Sequence, residues 1–567
     1  MKRYRVIAVL EADLEMTPLG TRSRLAARLG GETVLRRTIA RVTRMTRTGK
    51  TVVLAPSAQA MRVEELLHGT GATVRGHDCG PAPWRMLIQS ARKWSLDGWR
   101  GGIGGATVFD EYTDGRLLAG VLDSEPADAV LSIPPAAPSF DPQIADDMIR
   151  HLETDEQDSR LIFAQAPPGI TGILLTAGLI RELAEKFIPV GRLFSYKPDA
   201  PRKDLIFESC CYPTSVELRH ASGRLIVDTR RAFETAEELT AVKEDWDSNS
   251  LGARLIRRDS EKVAPFPREV EIELTTEDSY PASLLHPRGE RVKKRGPIDP
   301  SIVRRVASEL AEYDDSLVVL GGFGDPLLHP DLKSVLAALG SKPDRRGFYG
   351  IALRTTAAAL KEPAMRLLID YQVDVLEVML DAWTPSLYAT LHSPSNPSRA
   401  DLTAVLKALD ELERLRLESS SVCPLVVPSF TKSRENVNEL DEFYDGWMRK
   451  LGAVAIHGYS NRAGQLEDRS VINMAPATRT ACRRLNTRCV VLADGRVTVC
   501  DQDFQGRITL PQVSDPEVPL GKLKDKPASV LSEIWNGTSF QSLRSAHHSE
   551  RYDVTPLCAA CQEWHRP

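Results

Sequence analysis

Cys482, Cys489-Val-Val-Leu-Ala-Asp-Gly-Arg-Val-Thr-Val-Cys500 and Leu557-Cys558-Ala-Ala-Cys561 form the stretch around which this 567-residue chain is organised. It holds five of the nine cysteines. Thiols grouped in this way, in a chain without export features, are more often metal ligands than disulfide partners, because the cytosol keeps thiols reduced. A CxxC places two sulfurs on one tight turn, where they can share a zinc ion or one edge of an iron–sulfur cluster. The stretch therefore predicts a metal centre.

The residues between Cys489 and Cys500 predict a β-hairpin. An apolar strand leads into the Asp494-Gly495 turn, and the alternation of Val497-Thr498-Val499 follows it. We expect this hairpin to deliver Cys500 to the metal centre from one side, while the CxxC arrives from the other.

The same stretch, together with Asp501, Asp503 and the segment Ser529-Val-Leu-Ser-Glu-Ile-Trp535-Asn-Gly, resembles the SPASM domain. That domain follows the radical S-adenosylmethionine (SAM) barrel in many enzymes and holds an auxiliary iron–sulfur cluster. The resemblance implies one 4Fe–4S cluster bound by a set of four thiolates, those of Cys482, Cys500, Cys558 and Cys561.

Two points stay open at the metal centre. A zinc knuckle with similar ligands is the alternative to a cluster. Cys489 is the spare thiol, predicted to pack as a small hydrophobe or to substitute for Cys482 as a ligand. We expect the neighbouring pair His547-His548 to be an exposed polar pair rather than a ligand pair.

Composition and charge set the broad class of the protein. The chain is 42% hydrophobic and 26% charged with a formal net charge of −4, which is typical of a globular protein and gives no sign of a general nucleic-acid binder. At roughly 150 residues per domain, we expect three or four domains. The N-terminal apolar run is too short for a signal peptide, and no run approaches the ~20 apolar residues of a membrane span. We expect a cytoplasmic protein without a membrane partner.

The N-terminal region, residues 1–248, is predicted to be an α/β domain. The apolar runs Arg5–Leu10, Thr51–Ala55 and Ala129–Ile133 are typical of buried strands, and helical patterns separate them. Strands that alternate with helices indicate a parallel sheet.

The order of motifs in this region resembles sugar-nucleotide cytidylyltransferases of the glycosyltransferase-A-like fold. The stretch Gly20–Leu35 stands where that family has its basic loop, and Pro135–Pro142 stands where it has the motif with a metal-holding aspartate. Ala136 occupies the position of that aspartate, whereas Asp228 matches the second one. The resemblance implies a nucleotide-binding group of Arg22, Arg24, Arg28 and Asp228.

Nucleotidyl transfer needs a divalent cation to neutralise the phosphates. With Ala136 in place of one carboxylate, the sequence argues against a magnesium site of ordinary affinity. We therefore favour a domain kept for binding or scaffolding, with a live transferase as the alternative. The polar segment that follows, residues 246–267, is predicted to be a linker without a helix across it, because Pro265 and Pro267 close it, and the domain boundary is predicted near residue 250.

Residues 266–470 are predicted to form a parallel partial (β/α) barrel. Glu269–Leu274 alternates charged and apolar residues, as a half-exposed strand would. The strands Leu317–Leu320, Gly350–Thr356 and Val373–Asp381 follow, each separated by a helical pattern. Repeated β–α units of this length indicate a barrel.

This region resembles the radical SAM family step by step, with one large departure. Where the family has the CxxxCxxC motif, this chain has Asp278, Ala282 and Leu285. Radical SAM chemistry needs three thiolates that leave one iron open, and these side chains cannot provide them. The sequence therefore excludes the usual radical SAM reaction. We interpret Glu277 and Asp278 as a solvated acidic pair.

The SAM-contacting positions are partly kept. Gly322, Gly324 and Asp325 match the family's glycine-rich GEP loop, with Asp for Glu, and Asp381 ends the strand that contacts the ribose. Thr355-Thr356-Ala357 replaces Thr-Asn-Gly, and Met379 replaces a serine. The resemblance implies a vestigial SAM site, and the replacements argue against tight SAM binding.

All three departures together resemble the spiro-SPASM family, which combines a SPASM module (here 471–567), a barrel without CxxxCxxC and a transferase-like N-terminal region. The predicted function is an iron–sulfur protein without radical SAM catalysis that binds, or assists the modification of, a peptide or sugar-nucleotide partner. The alternatives are a cytidylyltransferase with a regulatory C-terminal half and a zinc-stapled structural protein. The sequence leaves the oligomeric state open.

Overall fold

The computed structural model describes residues 3–201, 203–242, 247–261, 263–340, 349–508 and 530–566. The chain divides into two compact units, Met1–Glu261 (unit 1) and Lys262–Pro567 (unit 2). Residues 246 and 262 of the predicted linker and Ser529 of the SPASM-like segment lie outside the described residues. Among the described residues, no helix is long and apolar enough to cross a membrane.

Unit 1 is built on a seven-stranded mixed sheet. The strands of that sheet are β1 Val6–Glu11, β4 Thr48–Pro56, β5 Thr73–His77, β6 Ala129–Ser132, β7 Leu161–Ala164, β8 Ile173–Thr176 and β9 Cys211–Tyr212. Two further strands, β2 Arg28–Leu29 and β3 Glu32–Thr33, form a separate two-stranded sheet. Its α-helices are α1 Val34–Val42, α2 Ala60–Leu67, α3 Arg85–Arg92, α4 Phe109–Tyr112, α5 Gly115–Ser124, α6 Pro142–Thr154, α7 Ala177–Lys186, α8 Val216–His220, α9 Arg230–Val242 and α10 Ser248–Glu261.

The sheet of unit 1 is only partly parallel. Its strand order is β5-β4-β1-β6-β8-β7-β9. β1, β4, β5 and β6 run parallel, as predicted, whereas β8 runs antiparallel to both of its neighbours. The two central strands β1 and β6 are buried on both faces, which explains why they appear in the sequence as continuous apolar runs.

The predicted linker is corrected by the structure. Residues 248–261 of the linker form α10, and the predicted boundary near residue 250 falls inside this helix, which belongs to unit 1. Leu251 and Leu255 of this helix pack in a buried cluster with Leu218 and Leu239. This packing stabilises a helix that the polar composition of the segment did not predict. Pro265 and Pro267 follow the helix and do not interrupt it.

Unit 2 is a partial barrel with the C-terminal hairpin added to its sheet. Its strands are β10 Glu269–Glu273, β11 Ser316–Gly321, β12 Tyr349–Thr355, β13 Val375–Met379, β14 Leu425–Lys432, β15 Ala455–Gly458, β16 Arg488–Val491 and β17 Val497–Thr498. Its α-helices are α11 Pro300–Leu310, α12 Leu332–Leu339, α13 Glu362–Asp370, α14 Pro385–His392, α15 Leu402–Glu418, α16 Leu440–Lys450, α17 Arg484–Thr487, α18 Val530–Trp535, α19 Thr538–His548 and α20 Pro556–Ala560.

The strand order of unit 2 is β15-β14-β13-β12-β11-β10-β16-β17. The six barrel strands are parallel, and β16 also runs parallel to β10. The fold is therefore α/β, as predicted: unit 1 is an α/β unit with a mixed sheet, and unit 2 is a partial (β/α) barrel. The predicted division at residue 470 is not a division between compact units, because the hairpin continues the barrel sheet.

The hairpin forms as predicted. β16 and β17 pair antiparallel, with Val490 opposite Thr498 and Val491 opposite Val497. Gly495, with a φ of 85°, occupies a turn position that favours glycine.

The prediction that β10 is half exposed is wrong. Glu271 is buried and Glu273 is 0% exposed. The strand lies between β11 and β16, and the charged side chains point to a side that carries partners of its own. Arg295 binds Glu273 with two hydrogen bonds, and the backbone N–H of Gly322 donates to Glu271 at 3.0 Å. These hydrogen bonds allow the two carboxylates to be buried on the face of β10 that the alternating sequence predicted to be exposed to solvent.

Candidate metal centre

The structure brings four thiols together around one cavity of unit 2. Cys482 lies just before α17, and Cys500 follows the second hairpin strand. Cys558 lies within α20 and Cys561 is its C-cap. All four line the same cavity, together with Trp564. These are the four cysteines that the resemblance assigned to the cluster.

The CxxC turn is held by capping interactions. The side chain of Thr555 accepts a hydrogen bond from the backbone N–H of Cys558 at 3.0 Å, and Pro556 occupies the first helical turn. The backbone N–H of Cys561 then donates to the carbonyl of Cys558 at 3.2 Å. The backbone N–H of Glu563 donates to the Sγ atom of Cys561 at 3.3 Å. The turn is therefore ordered by its own backbone.

Burial sets the protonation of the four thiols. It raises the pKa of Cys482, Cys500 and Cys558, and it raises the pKa of Cys561 to about 11. The charge of Cys482 adds to the rise in the other three, which reflects how close the thiols lie. A metal or cluster must therefore displace protons when it binds. The four thiols line one cavity, but no three His, Cys, Asp or Glu side chains within the described ranges are grouped so as to hold a single metal ion.

The wall of the cavity fits an anionic sulfur-ligated group. Arg479 and Arg484 line it, and the Nε atom of each is buried without a hydrogen-bond partner in the described part of the chain. The same is true of Nε2 of His547. A 4Fe–4S core with four thiolate ligands is anionic and accepts hydrogen bonds at sulfur. The donor set and the two guanidinium groups therefore suit such a cluster.

The prediction for the histidine pair is wrong for His547 and correct for His548. His548 is exposed, but His547 is 3% exposed at the end of α19, and its Nδ1 accepts from the backbone N–H of Cys482 at 3.4 Å. Burial lowers the pKa of His547 to about 4. His547 lies four residues after the apolar Leu543, on the same face of the helix, and this spacing was the sequence signal that His547 points inward.

Cys489 lies apart from the other four thiols. It sits on β16 opposite Val270 of β10 and is buried in the barrel core. The charges that act on it belong to Arg544 and Glu309, not to the other cysteines. This position is that of a small hydrophobe, and it does not place Cys489 to substitute for Cys482 as a ligand.

The two aspartates after Cys500 hold the loop in place. Asp501 pairs with Arg462 and Arg484, so it fixes one of the cavity arginines. Asp503 accepts from the Thr498 hydroxyl at 3.0 Å and from the backbone N–H of Ile508 at 2.8 Å. Their role in the described structure is to position the loop.

Two of the side chains that stand in place of the CxxxCxxC cysteines, those of Asp278 and Leu285, contact other residues of the protein. Nη1 of Arg288 donates to Asp278 at 2.7 Å, and both side chains are buried. Asp278 is therefore not solvated, contrary to prediction, whereas Glu277 is exposed. Leu285 is buried in the barrel core.

The vestigial SAM positions are also taken by neighbouring residues. Asp325 is fully buried and accepts from the hydroxyls of Thr355 at 2.8 Å and Thr356 at 3.0 Å. Asp381 accepts from the Nε2–H of His286 at 2.7 Å and from the backbone N–H of Thr431.

The glycines of that loop leave no open cradle. A Cβ atom at Gly322 would lie 2.6 Å from Cβ of Glu273, and one at Gly324 would meet the carbonyl of Thr275. The close approach serves the packing of the protein's own strand. The acidic groups at the vestigial SAM positions therefore already have partners within the protein.

The predicted nucleotide-binding residues of unit 1 come together only in part. Arg24 and Asp228 line one cavity with Ala136, and Nη1 of Arg24 donates to the carbonyl of Asp228 at 2.9 Å. Arg22 and Arg28 are exposed and do not belong to that cavity lining. The carboxylate of Asp228 is held by both Nε and Nη2 of Arg224. With Ala136 beside it, this arrangement does not fit a magnesium ion.

Comparison with known proteins adds a family match for part of the chain. Residues 482–562 match the SPASM family, described as an iron–sulfur cluster-binding domain. A protein of Treponema pallidum (strain Nichols) is 24% identical over 366 residues, which are 62% of this chain and 92% of that protein.

Solved structures of low identity are each similar to about half of the chain. BtrN in complex with AdoMet and 2-DOIA is 16% identical and covers 52% of this chain and 93% of its own, with a TM-score of 0.33. Streptococcus suis SuiB bound to the precursor peptide SuiA is 12% identical and covers 56% and 79%, with a TM-score of 0.38. A cytidylyltransferase from Leptospira borgpetersenii is 16% identical and covers 45% and 94%, with a TM-score of 0.31. The strand order describes an α/β protein with a partial barrel, and the family match covers the residues that carry Cys482, Cys500, Cys558 and Cys561.

Proposed function

We propose that this chain is an iron–sulfur protein that holds one 4Fe–4S cluster and has given up SAM cleavage. The observation that carries the proposal is a contrast within unit 2. Four thiols line one cavity at the C-terminal module, whereas the barrel positions that would hold a second cluster and SAM are occupied by paired side chains of the protein. Cys482, Cys500, Cys558 and Cys561 would be the ligands.

When bound, such a cluster supplies one-electron transfer or a structural link between its ligands. The residues around it would set how it behaves. Arg479 and Arg484 would donate to cluster sulfur and balance its charge, and Asp501 would hold Arg484 in place. Trp564, which is buried at the cavity wall, would limit the access of water.

The proposed role is to bind, or assist the modification of, a peptide or sugar-nucleotide partner. A second cavity of unit 2, about 440 Å³ in volume, supports a binding role. It mixes aromatic, amide and guanidinium groups in its wall, which suits a polar chain such as a peptide. Its lining includes Arg291, Tyr459, Leu466, Phe504 and Gln505.

The test is metal and sulfide content of protein purified without oxygen, combined with titration of SAM by calorimetry. We expect about four irons and four sulfides per chain, and no saturable SAM binding. Reduction with dithionite in the presence of SAM should yield no 5′-deoxyadenosine. One zinc per chain without sulfide would replace the cluster by a structural zinc site. Saturable SAM binding would show that the barrel still admits SAM, and the proposal that its SAM positions are occupied by the protein's own side chains would then be wrong.

A further inference from the structure

A cavity of about 280 Å³ opens at one edge of the sheet in unit 1. β1 ends there at Glu11, β4 at Pro56 and β5 at His77, and the segment after β6 completes the wall. Open α/β sheets bind ligands outside the carboxyl ends of their strands, and this cavity has that position. Small-molecule pockets usually measure roughly 300–1,000 Å³. The cavity therefore holds a single ring more readily than a nucleoside triphosphate.

A buried guanidinium group behind the cavity wall holds the carboxylates that a divalent cation would need. Nε of Arg224 donates to Oδ1 of Asp228 at 2.7 Å, and its Nη2 donates both to Oδ2 of Asp228 and to Glu111, the latter at 2.6 Å. Nε of the buried Arg92 binds the other oxygen of Glu111 at 2.7 Å. Both carboxylates are thus neutralised from within the protein, and this arrangement disfavours their use as metal ligands.

The charges around the cavity balance. Five carboxylates line it, and five guanidinium groups line it or pair with those carboxylates in the described structure. The carboxylates belong to Glu11, Asp13, Glu111, Asp114 and Asp228, and the guanidinium groups to Arg24, Arg85, Arg92, Arg116 and Arg224. A triphosphate would need a surplus of positive charge or a metal ion. The balance instead favours an uncharged ligand.

Three polar groups of the cavity are left for such a ligand: Tyr112, Glu11 and the imidazole of His77, whose two ring nitrogens are buried without a hydrogen-bond partner among the described residues. Tyr112 is 5% exposed and lines the cavity, and its hydroxyl has no hydrogen-bond partner among the described residues. A buried hydroxyl without a partner is unfavourable unless a ligand or water satisfies it. Glu11 faces Arg85 at 3.7 Å, which is beyond hydrogen-bond distance. Leu117 and Pro135 supply apolar wall beside these groups.

We propose that unit 1 binds an uncharged, hydroxyl-bearing ring without a divalent cation. The ring would be a free sugar or the ribose of a nucleoside. Its hydroxyls would donate to the carboxylate of Glu11 and share a hydrogen bond with Tyr112, while its carbons pack on the apolar wall. The guanidinium of Arg224 removes the need for a metal. This inference does not depend on the cluster of unit 2.

The test is saturation-transfer difference NMR on the full-length protein in EDTA, with D-glucose, D-ribose and cytidine as separate probes and with CTP plus Mg²⁺ in a sample without EDTA. We expect a saturable signal from at least one uncharged probe. Glucose without cytidine would indicate a free sugar, and cytidine without glucose would indicate a nucleoside; either supports the proposal. CTP with Mg²⁺ should bind at least tenfold more weakly than the uncharged probe.

Two variants locate the binding. Tyr112→Phe removes only a hydroxyl without a partner and so should keep the stability of unit 1, while weakening probe binding about tenfold, or ~1.4 kcal/mol. Glu11→Gln should weaken it as well. Glu15→Gln makes the same chemical change at an exposed position of the neighbouring loop outside the cavity lining and should have no effect. A missing signal for every uncharged probe, a signal unchanged in both cavity variants, or tighter binding of CTP that requires Mg²⁺ would each overturn the proposal.

Discussion

Arg295 binds Glu273 inside unit 2 with two parallel hydrogen bonds, from Nε to Oε1 at 2.6 Å and from Nη2 to Oε2 at 2.8 Å. The pair ties the long loop after β10 to the strand itself. The backbone N–H of Ala493 also donates to Glu273 at 3.1 Å, so the same carboxylate anchors the C-terminal hairpin. One buried ion pair therefore joins barrel, loop and cysteine-bearing module.

Removing one partner of this pair should strongly destabilise unit 2. Arg295→Met leaves Glu273 buried and uncompensated, which should lower the free energy of unfolding by about 3–5 kcal/mol. Urea unfolding followed by tryptophan fluorescence measures the loss. The double variant Glu273→Leu/Arg295→Met should recover much of it, because no charge is then left buried. Lys294→Met, in an exposed pair of the same loop, should cost less than about 1 kcal/mol; equal losses at 294 and 295 would contradict the prediction.

A methyl group at Gly322 should not be tolerated. This glycine has a φ of 82°, and an added Cβ would lie 2.6 Å from Cβ of Glu273. Strain and overpacking together should lower the free energy of unfolding by about 1–3 kcal/mol or more. Gly296→Ala is the matched control, because its Cβ would meet open space. If a thermal melt shows Gly322→Ala to be as stable as Gly296→Ala, the close contact between Gly322 and Glu273 of β10 does not exist as described.

The cysteines should separate into two classes. Cys558→Ser and Cys561→Ser should each reduce the bound iron and sulfide well below the roughly four of each expected for an intact cluster. Cys489→Ala should keep the cluster, because this thiol packs in the core away from the cavity. Iron and acid-labile sulfide assays after anaerobic purification decide between them. Loss of the cluster in Cys489→Ala, in a variant that still folds by circular dichroism, would place Cys489 among the ligands.

His392 should make unit 2 less stable as the pH falls. Burial lowers the pKa of His392, whose Nε2–H donates to the carbonyl of Leu380 at 3.0 Å. Below its ordinary pKa of about 6.5 the unfolded chain binds a proton that the folded chain does not, so folding loses free energy as the pH falls from about 7 to 5.

The matched variant for this effect is His392→Gln, whose side-chain amide can still donate to Leu380 but does not titrate. Urea unfolding at a series of pH values should give a shallower pH dependence for the variant than for the natural chain. Equal slopes would mean that His392 takes up its proton in the folded state.

Local features of the sequence were enough for several parts of the structure. The Asp494-Gly495 turn flanked by alternating residues predicted the hairpin, because turn chemistry and the two-residue period act within a few residues. Apolar runs separated by helical patterns predicted the α/β class of both units for the same reason. The absence of cysteine at Asp278, Ala282 and Leu285 is visible in the sequence and needs no structure.

The sequence by itself therefore determined the α/β class, the hairpin and the missing CxxxCxxC, whereas the set of four cysteine ligands stays a prediction. Only the tertiary structure decided which polar residues are buried. The sequence predicts that Glu273 and Asp278 are exposed to solvent. In the structure Arg295 neutralises Glu273 and Arg288 neutralises Asp278, and both acids have buried side chains. In the sequence, Cys489 cannot be distinguished from the other cysteines of the C-terminal stretch. The pairing of β16 with β10 places it in the core. The physical reason is that the cost of burying a charge or thiol depends on partners distant along the chain, which local periodicity does not encode.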